Sequence, residues 1–553
     1  MKLTEPIHLS VHGELDERIH RSIQHLNELN NAEMRMEFTN PNDFWHWGAD
    51  YMGRWIGVMS LLGQYTRQDY GAAEVARELV VHYQRPDGSF GPYTDPHDFQ
   101  EWFGMGRGLV GLLEYCQVHP DPLVHEGMLK MGDFYAGHYP DCAEVLYECY
   151  SNALEGMVKL AALTGSPLYL QVARRMAETS VVYQGIRYSN EIAPNGRRSP
   201  CAGQVHCQLS TARGLLDLYD FTGEGRYLQP VLDIHEYILK ELLWASGGIG
   251  FYYFRPEENE TCADADWLRL NLQLWSVTKE TRFMDLAERI LVNQLYFNQV
   301  DNGGFCYLRG LDNRAGAVFD ACCSHHGPRA LYEVLRYIYT IEDSSTWVNL
   351  FIPGQVSLNA SKGIRRMSCV VTEEPGKMDV ILSIEEAAQQ PNTLFVRIPP
   401  WAAAYSLELN GAPLDLTVQS GYGSLNRTWS PGDTLTLRFD LQAAVLSGPT
   451  LGQHSFDPGA AAITYGSRLY CLNDSHNPHI RVHLARLKLP AGSDPAIEVL
   501  SPGRLAARGS TPEHKAEQLV FSPLSEVGGV PSGAGRIHTV RSPYYKVWIP
   551  VQP

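Results

Sequence analysis

A segment that repeats along the first 345 residues constrains the fold of this 553-residue chain more than any other feature. Each copy is an apolar stripe with helical spacing, a polar turn, an aromatic anchor and a second apolar stripe. Clear copies turn at Gly165, Gly223 and Lys279, and looser copies turn near Gly63 and Pro120. Turns that recur roughly every 45 to 60 residues are typical of stacked helical hairpins.

About six such hairpins fit into this region, and the last helix, from about Pro328 to Tyr339, ends before Glu342. Six hairpins that close on themselves form an α/α toroid, which gathers helix N-terminal ends and loops around one funnel. An open helical solenoid is the alternative. The copy number and the long intervening loops favour closure.

After Trp347 the apolar residues alternate with a period of two, which predicts strands. Short strands separated by Pro and Gly turns indicate β-sandwiches, and a second β segment starts near Ala461. The predicted fold is therefore an (α/α)6 barrel followed by two β-sandwich domains. The predicted boundaries are 1–345, 346–445 and 446–553.

Composition excludes several classes of function. The chain has 45 Lys and Arg against 62 Asp and Glu, a net charge of −17, which argues against binding nucleic acid. It lacks an apolar leader at its N-terminus and a run of about 18 apolar residues, so we predict a cytoplasmic protein without membrane spans. Eleven scattered cysteines, an odd count, predict reduced thiols instead of a disulfide framework.

Two cysteine clusters could carry chemistry. Glu260-Thr-Cys262 opens one predicted helix, and Cys322-Cys323 precedes the last one. Thiolate and carboxylate ligands at this spacing suit tetrahedral zinc, and helix N-termini favour anionic sulfur. A pair of small buried side chains or a strained vicinal disulfide would also explain the two cysteines. His325 and His326 could be ligands in place of Glu260, substrate contacts or capping groups.

At these residues the chain resembles the GH127 family of β-L-arabinofuranosidases, and the resemblance covers nearly the whole sequence. The Glu-Thr-Cys segment and the Cys-Cys pair match the family. So do three further segments, in the same order and spacing: 247–250 (GGIG), 396–401 (VRIPPW) and 465–471 (YGSRLYC).

The resemblance implies a helical (α/α)6 barrel, β-sandwich domains and a zinc site. It implies that Glu260, Cys262, Cys322 and Cys323 are the zinc ligands and that Cys322 is the nucleophile. A retaining glycosidase needs a nucleophile on one face of the anomeric carbon and an acid/base on the other. The Zn2+-bound thiolate would form a thioglycosyl intermediate in place of the usual carboxylate ester.

The segment that carries the acid/base glutamate in the family is much shorter here. It reads FYYFRPEEN over 251–259, so Glu257 and Glu258 are the local candidates, and we prefer Glu258. The alternative is that both belong to a solvated first helical turn, where negative charge is favourable.

Several positions predicted to line the sugar pocket differ from the family. Two family histidines are replaced by glutamines, and an asparagine after the cysteine pair is replaced by histidine. Two tryptophans near the N-terminus could stack on a sugar or belong to the core. The predicted substrate contacts are Gln100, Glu101, Gln204, His206, His325, His326, Trp45 and Trp47.

Three functions follow from the sequence. The first is a zinc-dependent retaining glycosidase acting on a β-L-arabinofuranoside or a related plant-glycan furanosyl residue. The second is a lyase or epimerase on the same toroid, with Tyr or His as acid/base. The third is a non-catalytic carbohydrate-binding protein in which zinc has only a structural role. All three take a carbohydrate as partner, and a homodimer is left open.

Overall fold

The chain forms a helical half followed by a strand-rich half, as the sequence predicts. The computed structural model describes residues 8–29, 48–90, 99–139, 151–185, 203–253, 255–311, 316–342, 344–360, 363–447, 459–488, 497–512, 517–532 and 537–552. No helix in these ranges is both long and apolar enough to cross a membrane.

Within the described residues, the helical half contains twelve α-helices of seven or more residues, which pack as two alternating sets. The π-helical segments Leu79–Tyr83 and Ile290–Leu295 follow the third and eleventh helices, and the second of them leads into a last turn, Tyr296–Asn298. The helices are α1 Glu14–Glu28, α2 Gly48–Thr66, α3 Ala72–Glu78, α4 Phe99–Val118, α5 Pro122–His138, α6 Leu154–Thr164, α7 Pro167–Glu178, α8 Val205–Thr222, α9 Leu228–Glu241, α10 Thr261–Thr278, α11 Thr281–Arg289 and α12 Cys323–Ile338.

The even-numbered helices form a ring. Each contacts the next, and α12 returns to contact α2, while each odd-numbered helix packs outside a neighbouring even-numbered one. Helices α2 and α4 approach most closely, because glycines face each other: a Cβ added at Gly53 would lie 2.5 Å from the Cα of Gly108. The described helices therefore close on themselves, which argues against an open solenoid.

The predicted turns are the helix ends. Gly165, Gly223 and Lys279 each end a helix in the left-handed conformation, at φ 67°, 73° and 57°. Glycine adopts this conformation without a Cβ clash, which explains two of the three turns. After Gly165, the Ser166 side chain accepts a hydrogen bond from the backbone of Tyr169 and so starts α7.

The last helix begins five residues before the predicted start. The carbonyl of Cys322 accepts hydrogen bonds from the backbone N–H groups of His325 and His326, so α12 starts at the cysteine pair. Pro328 lies inside the helix. Proline is favoured in the first turn of a helix, whereas Pro328 is the sixth residue of α12, which is why it was a misleading marker of the start.

The strand-rich half starts at Tyr339, slightly before the predicted change at Trp347, which itself lies in a strand. Five short strands among the described residues lie earlier in the chain. The strands are β1 His8–Val11, β2 Gly250–Tyr252, β3 Arg255–Asn259, β4 Cys306–Tyr307, β5 Ala317–Phe319, β6 Tyr339–Glu342, β7 Ser345–Val348, β8 Gly354–Ser357, β9 Ile364–Glu374, β10 Lys377–Ala387, β11 Pro391–Arg397, β12 Ala402–Leu409, β13 Ala412–Pro413, β14 Val418–Gln419, β15 Tyr422–Thr428, β16 Thr434–Leu441, β17 Ala443–Ser447, β18 Ala460–Tyr465, β19 Arg468–Asn473, β20 Arg486–Lys488, β21 Ile497–Ser501, β22 Arg504–Ser510, β23 Glu517–Pro523, β24 Val530–Ser532, β25 Ile537–Arg541, β26 Tyr545–Lys546 and β27 Ile549–Gln552.

Two sheets follow the ring. One has the order β1-β8-β9-β10-β16-β12-β13 and the other β14-β15-β11-β7-β6. Leu382 and Leu437 of the first sheet and Leu394 of the second belong to one buried core. This is the arrangement of a β-sandwich, with strand β1 contributed from the N-terminal side of the helices.

The second β region differs from the expected pair of stacked sheets. Nine of its described strands (β17–β23, β26 and β27) form one sheet, and an additional pairing of β18 with β19 closes six of them into a ring. Residues such as Tyr470, Leu505 and Phe521 fill its interior. Closure leaves these six strands without an exposed edge between them. Alternating sequence patterns do not distinguish a closed sheet from two stacked sheets.

A small sheet links the two halves of the chain. Its order is β24-β25-β5-β4, so two strands come from the helical half and two from the last β region. Strand β5 lies directly before the segment 320–323, which contains the cysteine pair.

Candidate metal centre

The two cysteine clusters meet at the N-terminal ends of neighbouring helices. Glu260 is the N-cap residue of α10, and Cys322 is the N-cap residue of α12. One ligand atom from each of Glu260, Cys262, Cys322 and Cys323 lies within 4.8 Å of the other three. The structure therefore joins the four residues that the sequence singled out, and this group could hold a metal ion.

The thiols lie at metal-ligand spacing. The Sγ of Cys323 is 3.8 Å from that of Cys262 and 3.7 Å from that of Cys322, and all three cysteines are free. Thiolates that bind zinc tetrahedrally at about 2.3 Å lie about 3.8 Å apart. A vicinal disulfide, one of the alternatives from the sequence, would need sulfurs about 2 Å apart.

The four acidic groups differ in their pKa values. Hydrogen bonds from Cys262 and Cys323 lower the pKa of the Cys322 thiol to about 6. Burial raises the pKa of Cys262 to about 12 and holds those of Cys323 and Glu260 well above their usual values. A soft divalent cation would replace the protons on these groups, so the donor set fits such an ion.

Arg54 faces the cluster from α2 and was missed in the sequence. Its Nε donates to Asp50 at 2.6 Å, its Nη1 lies 3.9 Å from the Sγ of Cys262, and its Nη2 lies 3.4 Å from His206. The side chain is buried, and its positive charge favours the ionised forms of the nearby carboxyl and thiol groups. Its only signal in the sequence was an arginine four residues after an aspartate in an otherwise apolar helix.

A second group of possible ligands lies beside the first. His206 and His326 lie 2.9 and 3.0 Å from opposite oxygens of Asp266, and the three are buried. Arg213 and Arg269 also lie 3.2 and 3.1 Å from the Oδ1 of Asp266. Two neighbouring guanidinium groups repel a cation, so this group is a hydrogen-bonded ion network instead of a second metal site.

The predicted substrate contacts have varied surroundings. His206 and His326 are 2% and 0% exposed. Gln204 lies 3.5 Å from the Oε2 of Glu260 through its Nε2, so it touches the ligand set. His325 lies outside the ligand set, with Nδ1 2.7 Å from the carbonyl of Ala321, and burial lowers its pKa to about 3. The role of these side chains toward a sugar stays a prediction.

Four other predicted contacts fall where side chains are not described. Trp45 and Trp47 lie outside the described residues. Gln100 and Glu101 lie in the first turn of α4, but their side chains lie outside the description.

The segment before Glu260 is a strand instead of the helical turn considered in the sequence. Glu258 lies in β3, which pairs with β2, and its carboxylate is 3.5 Å from Arg255. Glu260 continues the extended conformation, at φ −135°. Because alternate residues of a strand share a face, Glu258 lies on the side of Glu260, and the exposed Glu257 lies on the other.

Tyr307 was also missed. It forms a β-bridge with Glu260, and its ring packs on Phe251 and Phe319 at 5.5 and 5.8 Å between centroids. Burial and the neighbouring Glu260 raise its pKa, so the phenol keeps its proton. It places a hydroxyl donor close to the ligand cluster.

Solved structures share this architecture. A GH127 β-arabinofuranosidase aligns over 100% of this chain and 98% of its own, with a TM-score of 0.80 and 19% identity. A GH127 β-L-arabinofuranosidase from Geobacillus stearothermophilus T6 aligns over 98% and 100%, with a TM-score of 0.74 and 17% identity. The fold is therefore that of known glycoside hydrolases, with a helical ring that is followed along the chain by β domains.

Sequence comparison then gives the family. The profile of the β-L-arabinofuranosidase GH127 catalytic domain matches residues 18–334, and that of the GH127 middle domain matches 345–441. The chain belongs to the GH127 β-L-arabinofuranosidase family. A non-reducing end β-L-arabinofuranosidase from Bifidobacterium longum subsp. longum is 25% identical over 305 residues, which are 50% of this chain and 45% of that relative.

Proposed function

We propose that this protein is a zinc-dependent retaining glycoside hydrolase that releases β-L-arabinofuranosyl or closely related furanosyl residues from plant glycans. The observation that carries the proposal is the group Glu260, Cys262, Cys322 and Cys323, with its sulfurs at tetrahedral spacing. Membership of the GH127 family and the likeness to solved family structures over the whole chain support the substrate class.

The proposed ligands are Glu260, Cys262, Cys322 and Cys323. Three thiolates and a carboxylate suit zinc better than a hard cation such as magnesium, which prefers oxygen. Bound zinc would keep the thiols deprotonated and oriented at neutral pH. Arg54, 3.9 Å from Cys262, supplies a positive charge that lowers the cost of the four anionic ligands.

We assign Cys322 as the nucleophile because it is the least buried of the three cysteines and has the lowest thiol pKa, about 6. Its sulfur would attack the anomeric carbon as the glycosidic bond breaks. Glu258 would donate a proton to the leaving oxygen and then remove one from the water that cleaves the sulfur–carbon bond. Two inversions at one carbon retain its configuration.

We also propose the finer architecture. The helical half is a six-hairpin (α/α)6 barrel over 1–345, which the contacts around the ring support. The remaining domains are then 346–445 and 446–553. The ligand group occupies the rim of the barrel at which α10 and α12 begin.

The apo protein is expected to bind one equivalent of zinc and to become more stable. At free zinc a thousand times the Kd, binding adds about 4 kcal/mol to the free energy of unfolding. A Co2+ titration that follows thiolate charge-transfer absorption would count the sulfur ligands. Cys262→Ser should weaken binding, whereas Cys471→Ser, at a buried thiol in β19, should not. Equal zinc affinity of the two variants would show that zinc does not bind at the proposed site.

Glu258→Gln is expected to lower kcat for an alkyl arabinofuranoside by about a hundredfold or more, because the acid/base is lost. The loss should be smaller for a 4-nitrophenyl glycoside, since that leaving group needs little protonation. Glu257→Gln, on the opposite face of β3, is the matched control. Similar kinetics for both variants would show that the acid/base lies elsewhere.

Product analysis separates the competing activities. Released arabinose supports the hydrolase, an unsaturated sugar would indicate a lyase, and an isomer would indicate an epimerase. Binding of arabinofuranosides without turnover by the zinc-loaded wild-type protein would indicate a carbohydrate-binding protein. We include this last outcome because the segment 251–259, which carries the acid/base in the family, is shortened here.

A further inference from the structure

The sheet β24-β25-β5-β4 connects the last β region to both halves of the ligand group. Strand β25 pairs with β5, with His538 opposite Val318 and Ile537 opposite Phe319. Strand β5 leads directly into Asp320 and the cysteine pair. The register of a C-terminal strand therefore sets the position of the segment that carries Cys322.

The other side of this sheet reaches Glu260. Tyr307 of β4 forms a β-bridge with Glu260. The hydroxyl of Thr261 donates to the carbonyl of Cys306 at 2.6 Å, and the N–H of Leu308 donates to the carbonyl of Asn259 at 2.8 Å. The two ligand segments are thus held by adjacent strands of one small sheet.

Asp320 is the point at which three parts of the chain meet. Its Oδ1 lies 2.7 Å from the Nε2 of His25 in α1 and accepts from the hydroxyl of Ser324 at 2.9 Å. Its Oδ2 lies 2.9 Å from the Nε2 of His538 in β25. The Asp320 side chain is 9% exposed, so these partners take the place of water.

The segment before β24 is also anchored on the helical half. Arg309 is fully buried and donates to the carbonyls of Val527 and Gly528 at 3.0 and 3.1 Å. The backbone N–H of Asp301 donates to the carbonyl of Gly529 at 3.0 Å. The segment that leads into β24 is therefore anchored to the helical half by backbone and arginine hydrogen bonds.

We propose that β24 and β25 help to position the ligands of the metal centre, and that His538 is a positioning residue. Through Asp320, His538 holds the backbone before Cys322 in the place that completes the ligand group. Groups that hydrogen-bond directly to metal ligands fix the orientation of those ligands, and their loss commonly costs 10- to 100-fold in metal affinity or activity. His538 acts one contact further out, through Asp320, so we expect an effect at the lower end of that range. Only the activity readout of this proposal rests on the proposed function.

The test compares His538→Ala, His538→Gln and His479→Ala in the full-length protein. His479 lies in the same β region with its side chain 57% exposed, so it is the control. Zinc affinity is measured by chelator competition, alongside kcat, KM and thermal unfolding. We expect His538→Ala to weaken zinc binding about tenfold and to lower kcat with little change in KM. His538→Gln should restore most of the loss, because its amide Nε2 can donate to Asp320.

Zinc affinity of His538→Ala within twofold of the wild type would overturn the proposal, whatever happens to thermal stability. Gln and Ala variants that lose equal affinity would also overturn it, because then the hydrogen bond to Asp320 is not what matters. If His538→Ala does not fold, Asp320→Asn tests the same link with the shape of the side chain retained. A wild-type protein that binds zinc but hydrolyses nothing would refute the proposed function, while zinc affinity would still test His538.

Discussion

Replacing Cys322 with alanine is expected to lower kcat/KM for an aryl β-L-arabinofuranoside by at least about a thousandfold, as for other enzymes that lose their nucleophile. Cys322→Ser should be nearly as inactive. A serine hydroxyl keeps the size of the side chain but is not ionised at neutral pH, and it is a poor ligand for zinc. Steady-state kinetics on the zinc-supplemented variants measures the loss.

The Cys322 variants need controls, because Cys322 has two proposed roles. Cys323→Ser removes a ligand but not the nucleophile, and excess zinc should restore part of its activity. Cys471→Ala, far along the chain in β19, should leave activity unchanged. Mass spectrometry of the wild type with a slow substrate should find the sugar on Cys322. Normal turnover by Cys322→Ser would refute the assignment of the nucleophile.

Replacing Asp266 with alanine should lower the free energy of unfolding by about 3–5 kcal/mol, the cost of leaving buried charges without a partner. The carboxylate lies between His206 and His326 and within 3.2 Å of Arg213 and Arg269. Without it, two guanidinium groups would lack this partner in a region closed to water. Urea unfolding measures the loss, and Asp233→Ala on the exposed side of α9 is the control. A loss below about 1 kcal/mol would contradict the network.

The same carboxylate gives stability a dependence on pH. Burial opposes ionisation of Asp266, but the charges and hydrogen bonds of His326, His206 and Arg213 outweigh it and hold its pKa well below the usual value. A folded-state pKa below the unfolded one adds stability at pH values above the unfolded pKa. That contribution falls as pH drops from about 4 toward the folded-state pKa. Asp266→Asn should flatten this part of the curve of stability against pH.

The sequence predicted the helical turns because Gly165 and Gly223 occupy positions that need a left-handed conformation. It also singled out Cys322-Cys323 and Glu260-Thr-Cys262, which the structure brings together, although the family resemblance was needed to pair the two clusters. It misplaced the start of α12, because the cap that sets it is the carbonyl of Cys322, which leaves no mark in the residue pattern.

Other parts of the site depend on packing between distant segments. Nothing near Asp320 in the sequence points to His25 or His538, although all three meet in the fold. Tyr307 reaches Glu260 only through a β-bridge. Arg54 could have been suspected in its apolar helix, but its contact with Cys262 depends on how α2 and α10 lie around the ring, on either side of α12.

Closure of the helical ring has a consequence for biosynthesis. Helix α12 packs against both α1 and α2, so the first hairpins to leave the ribosome expose an apolar flank until residue 338 has been made. The segment that carries Cys322 pairs with β25, which is made later still. A nascent chain should therefore keep this apolar flank exposed until α12 has been made, and the segment before the cysteine pair should reach its final position only after β25 has been made.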